Sequence, residues 1–194
     1  MELRDAVVAA GEGNLSIRLD DRTLLVTPSG RRKDELAPWD LVEVALEPGD
    51  PVSADGDGPR PSSDIAIHRA IYRARPDVGA IAHAHLVSAM ALTVVGEAPD
   101  PAILPETALL LPTVPVVPYG TPGSPELADR IAVTLASSAE TTPQAVILER
   151  HGAIAVGSGI DQAVDRLELV DVLCRTWRDA RLLAPGRQLG PPGA

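Results

Sequence analysis

Histidine is scarce in this sequence, and its placement is the first chemical signal. Of four histidines, His83 and His85 stand two apart in His83-Ala84-His85, and His151 precedes Gly152. On an extended segment, residues two apart project from the same face, so two imidazoles can converge on one ion at about 2.0–2.1 Å. A third imidazole from His151 would leave coordination positions open for water or substrate, as in a catalytic metal site. Spacing alone does not join His151 to the pair, because a histidine before glycine is also an ordinary turn residue. Asp64 is the nearest candidate acid or base. Read locally, it is a first-turn carboxylate stabilised by a helix dipole; beside a dication it would ligate the metal or shuttle a proton. His68, one helical turn later on the same face, suits packing or pairing.

Two polar turns can hold an anion. Thr27-Pro28-Ser29-Gly30 offers hydroxyls and a glycine amide, and Ser62-Ser63 offers hydroxyls and free N–H groups at a helix start. Gly13-Asn14 adds a side-chain amide. Capping boxes and turns use the same residues, so neither turn specifies phosphate unaided. The chain lacks a GxxxxGK[ST] loop, a GxGxxG after a strand and a GxSxG elbow, which removes support for nucleotide or serine-hydrolase chemistry.

These residues must be positioned by strands and helices that the hydrophobic pattern outlines. Leu15–Leu19 and Thr23–Val26 read as a hairpin, Leu41–Leu46 as a further strand, and Glu47–Pro61 as an exposed Gly/Pro/Asp-rich loop. A helix opens at Ser62-Ser63-Asp64 and runs through His68 and Tyr72 to Arg75. Val78–His83 is an apolar strand entering the histidine pair, and residues 86–95 are helical. Val114–Val117 is a strand made irregular by Pro115, residues 124–138 a helix capped by Ser124, and Ala145–Leu148 and Ile154–Val156 strands on either side of His151. Ala163, Leu167, Val170, Cys174 and Trp177 recur at helical spacing over Asp161–Leu183. Residues 1–10 suit a short, truncated helix, and residues 184–194 a loose tail. The whole reads as one domain over residues 1–194 with its core at 11–183.

Composition narrows the class of function. Lys and Arg number 17 against 27 Asp and Glu, a net charge of −10 that disfavours nucleic acid or anionic lipid as a partner. Phe is absent and Trp and Tyr number two each, so the core must be aliphatic and few rings remain for stacking on bases. The single Cys174 excludes an intrachain disulfide and a cysteine-based zinc finger, and reads as a core residue. No apolar run reaches membrane-span length, so a cytoplasmic protein is expected.

Taken in order, Gly13-Asn14-Leu15-Ser16, Thr27-Pro28-Ser29-Gly30, Pro61-Ser62-Ser63-Asp64 with His68, His83-Ala84-His85, Pro118-Tyr119 and His151-Gly152 resemble the class II aldolase/adducin family over about residues 11–183. The resemblance implies an α/β fold, a three-layer α/β/α domain around a mostly antiparallel sheet, assembled as a C4 homotetramer with active sites between subunits. It implies that His83, His85 and His151 hold Zn2+ or another divalent metal. It further implies that Asn14, Ser29, Gly30, Ser62 and Ser63 bind a substrate phosphate, and that Asp64 is the catalytic acid/base. The leading expectation is an aldolase that cleaves a ketose phosphate, such as L-fuculose 1-phosphate, to dihydroxyacetone phosphate and an aldehyde. A ribulose-phosphate 4-epimerase or a sugar-phosphate decarboxylase or dehydratase uses related chemistry. A non-catalytic adducin-like module would predict eroded ligands, against the three histidines present.

Three departures accompany the resemblance. Ser-Ser-Asp resembles the epimerases, whereas fuculose-phosphate aldolases have Glu at the Asp64 position. The stretch from Pro101 to Leu111 lacks the tyrosine that family members bring from a neighbouring subunit; Glu106 stands there and is the proposed substitute. The N-terminal helix is shorter by a turn or two. No basic pocket residue is evident, Arg18 and Arg31 being the nearest choices.

Overall fold

The computed structural model describes residues 12–49, 59–137 and 141–190. The helix expected over residues 1–10, the tip of the 47–61 loop and the end of the tail lie outside them.

The N-terminal hairpin forms as its alternation predicts. Strand β1 (Asn14–Arg18) pairs antiparallel with β2 (Thr23–Val26), and β2 with β3 (Val42–Ala45). The two faces of β1 are nevertheless unusual. Leu15 and Ile17 pack on the side of the long C-terminal helix, while the polar residues Asn14 and Ser16 are buried on the opposite face. Alternation would send that polar face to solvent; instead a helix covers it.

Strands β4 (Ala80–Ala84), β5 (Val116–Val117), β6 (Ala145–Leu148) and β7 (Gly152–Gly157) complete a seven-stranded sheet of order β3-β2-β1-β4-β7-β6-β5. All neighbours are antiparallel except β5 and β6. That parallel pair follows from the crossover helix between them, since a parallel connection cannot be a tight turn.

Helices α1 (Ile65–Ala74) and α4 (Pro125–Ala136) cover one face of the sheet. Helices α2 (Val87–Val94), α3 (Pro105–Leu110) and α5 (Ile160–Leu183) lie on the other. The α/β/α layering therefore stands as expected. The larger Ile81, Val146, Ile154 and Val156 face α1 and α4, whereas Ala80, Ala82, Ala84, Ala153 and Ala155 face α2 and α5. The alanines let α5 approach closely, and Leu167, Val170, Leu173 and Trp177 fill the remaining space, each large apolar side chain contributing about 1.5–3 kcal/mol by leaving water.

The helix ends bear out part of the reading. Ser124 Oγ accepts the Leu127 N–H at 3.2 Å and caps α4. Helix α3 was not anticipated: its six residues are too few to display a period, and Leu109 and Leu110 are exposed. No helix among the described residues is long and apolar enough to cross a membrane.

Candidate active site

The three histidines meet at one end of β4. His83 lies within the strand, His85 immediately follows it, and His151 occupies the turn between β6 and β7. Because β7 pairs with β4 through Ala84 and Ala153, that turn is delivered directly beside His85. Two glycines allow the approach. A Cβ on Gly152 (φ 126°) would fall 2.2 Å from the Ala84 carbonyl oxygen, and one on Gly13 (φ 75°) 2.4 Å from the His83 carbonyl oxygen. Only glycine fits these left-handed, crowded positions on either side of the strand. Arg150 also adopts positive φ (59°), and its N–H is held by Thr93 Oγ1 at 3.0 Å, completing the turn that presents His151.

Ring centroids are separated by 5.1 Å (His83–His85), 5.0 Å (His83–His151) and 4.8 Å (His85–His151). One ring nitrogen from each lies within 4.8 Å of the others. Small ring movements bring such donors to a common centre at about 2.0–2.1 Å. The hydrogen bonding leaves nitrogens free for this. His83 Nδ1 donates to the Ala153 carbonyl at 2.9 Å, so its buried Nε2 carries a lone pair without a partner. His151 Nδ1 is likewise buried and unpartnered. His85 Nδ1 lies 2.9 Å from Glu12 Oε2, the pairing that orients a ligating imidazole and raises its basicity. Burial pushes His83 down to about 3, against the opposing charge of Asp64, and burial together with His85 lowers His151. Neutral imidazole is the metal-binding form, and a buried cluster of unpaired ring nitrogens fits a divalent cation.

Asp64 is not a helix-capping carboxylate. It occupies the N-cap of α1 but accepts no capping bond there. Instead its Oδ2 takes the Asn14 Nδ2–H at 2.7 Å and lies 3.7 Å from His83 Nε2. Burial tends to raise its pKa, but the neighbouring His83 and the Asn14 hydrogen bond outweigh this and hold it below the ordinary value.

The two polar turns come together. Ser29 N–H donates to Arg60 O at 2.9 Å, Ser62 N–H to Thr27 O at 3.2 Å, and Pro28 bridges Pro61. Ser29, Gly30 and Ser63 are exposed, while Ser62 is buried with Oγ accepting the Asp64 N–H at 3.3 Å. Asn14 is only 3% exposed, with its amide turned to Asp64 and His68. Glu106 is exposed in the first turn of α3 and shares no hydrogen bond or ion pair with the histidines.

Two residues beside the site carry no sequence signal, and the two arginines considered from the sequence have partners of their own. Glu12 has no local signal that would point to a partner 73 residues away. Lys33 was not singled out, yet its half-buried ammonium feels the charge of Asp64 and is lowered by burial. Arg18 instead donates to the Tyr72 and Val78 carbonyls, and Arg31 pairs with Asp40 at 3.6 Å.

Known enzymes and solved structures resemble this chain over most of its length. A 3-oxo-tetronate 4-phosphate decarboxylase of Haemophilus influenzae is 35% identical over 162 residues, covering 81% of this chain and 72% of its own. An L-fuculose phosphate aldolase of the same organism is 32% identical over 183 residues, covering 91% and 76%. The solved structure of YgbL from Escherichia coli superposes with a TM-score of 0.79 at 27% identity, covering 98% of this chain and 88% of that one. The family model describing the class II aldolase and adducin N-terminal domain matches residues 3–178, and the chain belongs to that family.

Proposed function

We propose that this chain is a metal-dependent carbon–carbon lyase that decarboxylates a short 3-oxo sugar acid phosphate of the 3-oxo-tetronate 4-phosphate type. The observation that carries the choice is the set of proton carriers: Asp64 stands beside the three imidazoles, and neither tyrosine hydroxyl of this chain is bonded there. Tyr72 is 1% exposed and bonded to Ser16, and Tyr119 is on the surface. Aldol cleavage needs one group to take a proton from a hydroxyl and another to protonate the enediolate carbon. Loss of CO2 needs only the second step. The 35% identity to a decarboxylase supports the same reading.

In this reading His83, His85 and His151 hold a divalent cation, proposed as zinc, oriented by Glu12 and the Ala153 carbonyl. When bound, the cation supplies Lewis-acid stabilisation of negative charge on the substrate's keto oxygen. Ser29, Gly30, Ser62 and Ser63 bind the phosphate, with Asn14 at the inner edge of that cradle and Lys33 adding positive charge. The carbon–carboxylate electron pair stays on carbon as CO2 departs. Asp64 delivers a proton drawn from water to that carbon, giving dihydroxyacetone phosphate.

The expectation of aldol cleavage is retained as the second reading, favoured by the 32% identity to a fuculose-phosphate aldolase. It requires a further proton carrier, and Glu106 is the choice if the chain assembles as a C4 tetramer. The exposed Leu109 and Leu110 on the same short helix support such a contact.

The deciding experiment supplies metal-loaded protein with 3-oxo-tetronate 4-phosphate and, separately, a panel of ketose 1-phosphates. CO2 and dihydroxyacetone phosphate should form together from the first. Aldehyde release from the second, with no CO2 from the first, would replace decarboxylation by aldol cleavage.

A further inference from the structure

Behind Asp64 runs a chain of buried polar side chains, of which the proposed reaction uses only Asn14. Asn14 Nδ2 meets Asp64 Oδ2 at 2.7 Å, Asn14 Oδ1 meets His68 Nε2 at 2.5 Å, His68 Nδ1 meets Ser16 Oγ at 2.6 Å, and Ser16 Oγ meets Tyr72 Oη at 2.9 Å. Asn14, Ser16, His68 and Tyr72 are 3%, 2%, 0% and 1% exposed, where aliphatic residues would pack more cheaply.

The direction of every bond follows from one end. An ionised carboxylate only accepts, so Asn14 presents its N–H2 to Asp64 and its oxygen to His68. His68 Nε2 must then carry the hydrogen. In a neutral ring Nδ1 is bare and accepts the Ser16 hydroxyl, whose oxygen accepts from Tyr72. All four donors point toward Asp64. Burial pushes His68 down to about 4, which keeps the ring neutral and the order intact. Arg18 closes the far end, with its guanidinium 4.8 Å over the Tyr72 ring and Nη2 donating to the Tyr72 carbonyl at 2.7 Å.

We propose that His68, backed by Ser16 and Tyr72, is a positioning residue for Asp64: it locks the Asn14 amide with its N–H side toward the carboxylate and so aims Asp64 at His83 instead of at the α1 N-terminus. Without this lock the amide can flip, placing its oxygen against the carboxylate and driving Asp64 away. The missing capping bond at the start of α1 is what such an aim requires. The kinetic part rests on the lyase reading above.

The test compares wild type, His68→Phe and His68→Gln by metal content, thermal melting, imidazole 15N shifts, and kcat and KM for the substrate that wild type turns over. Gln can donate to Asn14 and accept from Ser16; Phe can do neither. In wild type the 15N shifts should report a neutral His68 with its hydrogen on Nε2. His68→Phe should bind metal normally and lose on the order of 10-fold to 100-fold in kcat with KM little changed, as a misplaced catalytic group does. His68→Gln should recover most of that loss. If His68→Phe does not fold, Ser16→Ala, which removes one hydroxyl, should disturb the tautomer and lower kcat in its place. A hydrogen on Nδ1 in wild type, or a folded, metal-replete His68→Phe with undiminished kcat, overturns the proposal. If wild type releases neither CO2 nor aldehyde, the lyase reading fails, while the 15N shifts still decide the direction of the chain.

Discussion

Asp64 Oδ2 lies 3.7 Å from His83 Nε2, the nitrogen of that ring left without a hydrogen-bond partner. A carboxylate at this distance from a candidate ligand atom is placed to serve a substrate bound at the cluster. Asp64→Asn should therefore retain bound metal but lose on the order of 10²–10⁴-fold in kcat. Metal analysis beside steady-state kinetics separates the two effects; undiminished turnover would remove Asp64 from the reaction.

Metal should contribute stability as well as activity. At a thousandfold excess over its dissociation constant, a ligand that binds only the folded state adds about 4 kcal/mol. Chelation should lower the melting temperature of wild type, and His151→Ala should melt alike with and without added zinc. Glu12→Gln, which weakens the acceptor on His85, should reduce metal affinity by about 10-fold to 100-fold in a competition titration. Equal affinity in Glu12→Gln would reduce its contact to a surface pairing.

Gly152→Ala places a methyl group 2.2 Å from the Ala84 carbonyl oxygen in a backbone conformation that disfavours side chains. Denaturant unfolding should show a loss of about 1–3 kcal/mol. Metal binding should weaken with it, because β7 and His151 move away from β4 together. The test fails if both stability and affinity match wild type.

His68 links stability to pH. Its ordinary value of 6.5 falls to about 4 in the fold because burial disfavours the charged ring. Above pH 6.5 both folded and unfolded forms are neutral and the fold keeps its full stability. As pH drops from 6.5 to about 4, only the unfolded chain takes the proton, so stability should fall by about 3 kcal/mol across that window. Asp64, lowered from 3.8, acts in the same sense at more acid pH: it stabilises above that value and loses the contribution as pH falls below it. Denaturant midpoints across the window should show a shallower slope for His68→Gln than for wild type.

Lys33→Met removes a cation that senses Asp64 without touching the histidines' hydrogen bonds. Binding of an anionic substrate should weaken about 10-fold in KM, a loss of about 1.4 kcal/mol, with kcat little altered. An unchanged KM across two salt concentrations would remove Lys33 from substrate binding.

Much of this molecule was legible in the chain itself. Strand alternation marked the β1–β2 hairpin, Ser124 marked the start of α4, and helical spacing from Ala163 to Trp177 marked α5, because each depends on contacts within one element or on a single buried face. The histidine pair was legible for the same reason, since two residues on one strand keep a fixed separation. Its meeting with His151 depended on the register of β7 against β4 and on two glycines whose local setting resembles any turn. Asp64 looked like a dipole-stabilised helix start; only the packing of α1 over β1 turned it toward His83. Glu12 at His85, Lys33 near Asp64, and the buried Asn14–His68–Ser16–Tyr72 chain likewise lay beyond sequence reading. A side chain's chemistry belongs to the residue, but its partner is chosen by the long-range packing that brings distant segments within hydrogen-bond reach.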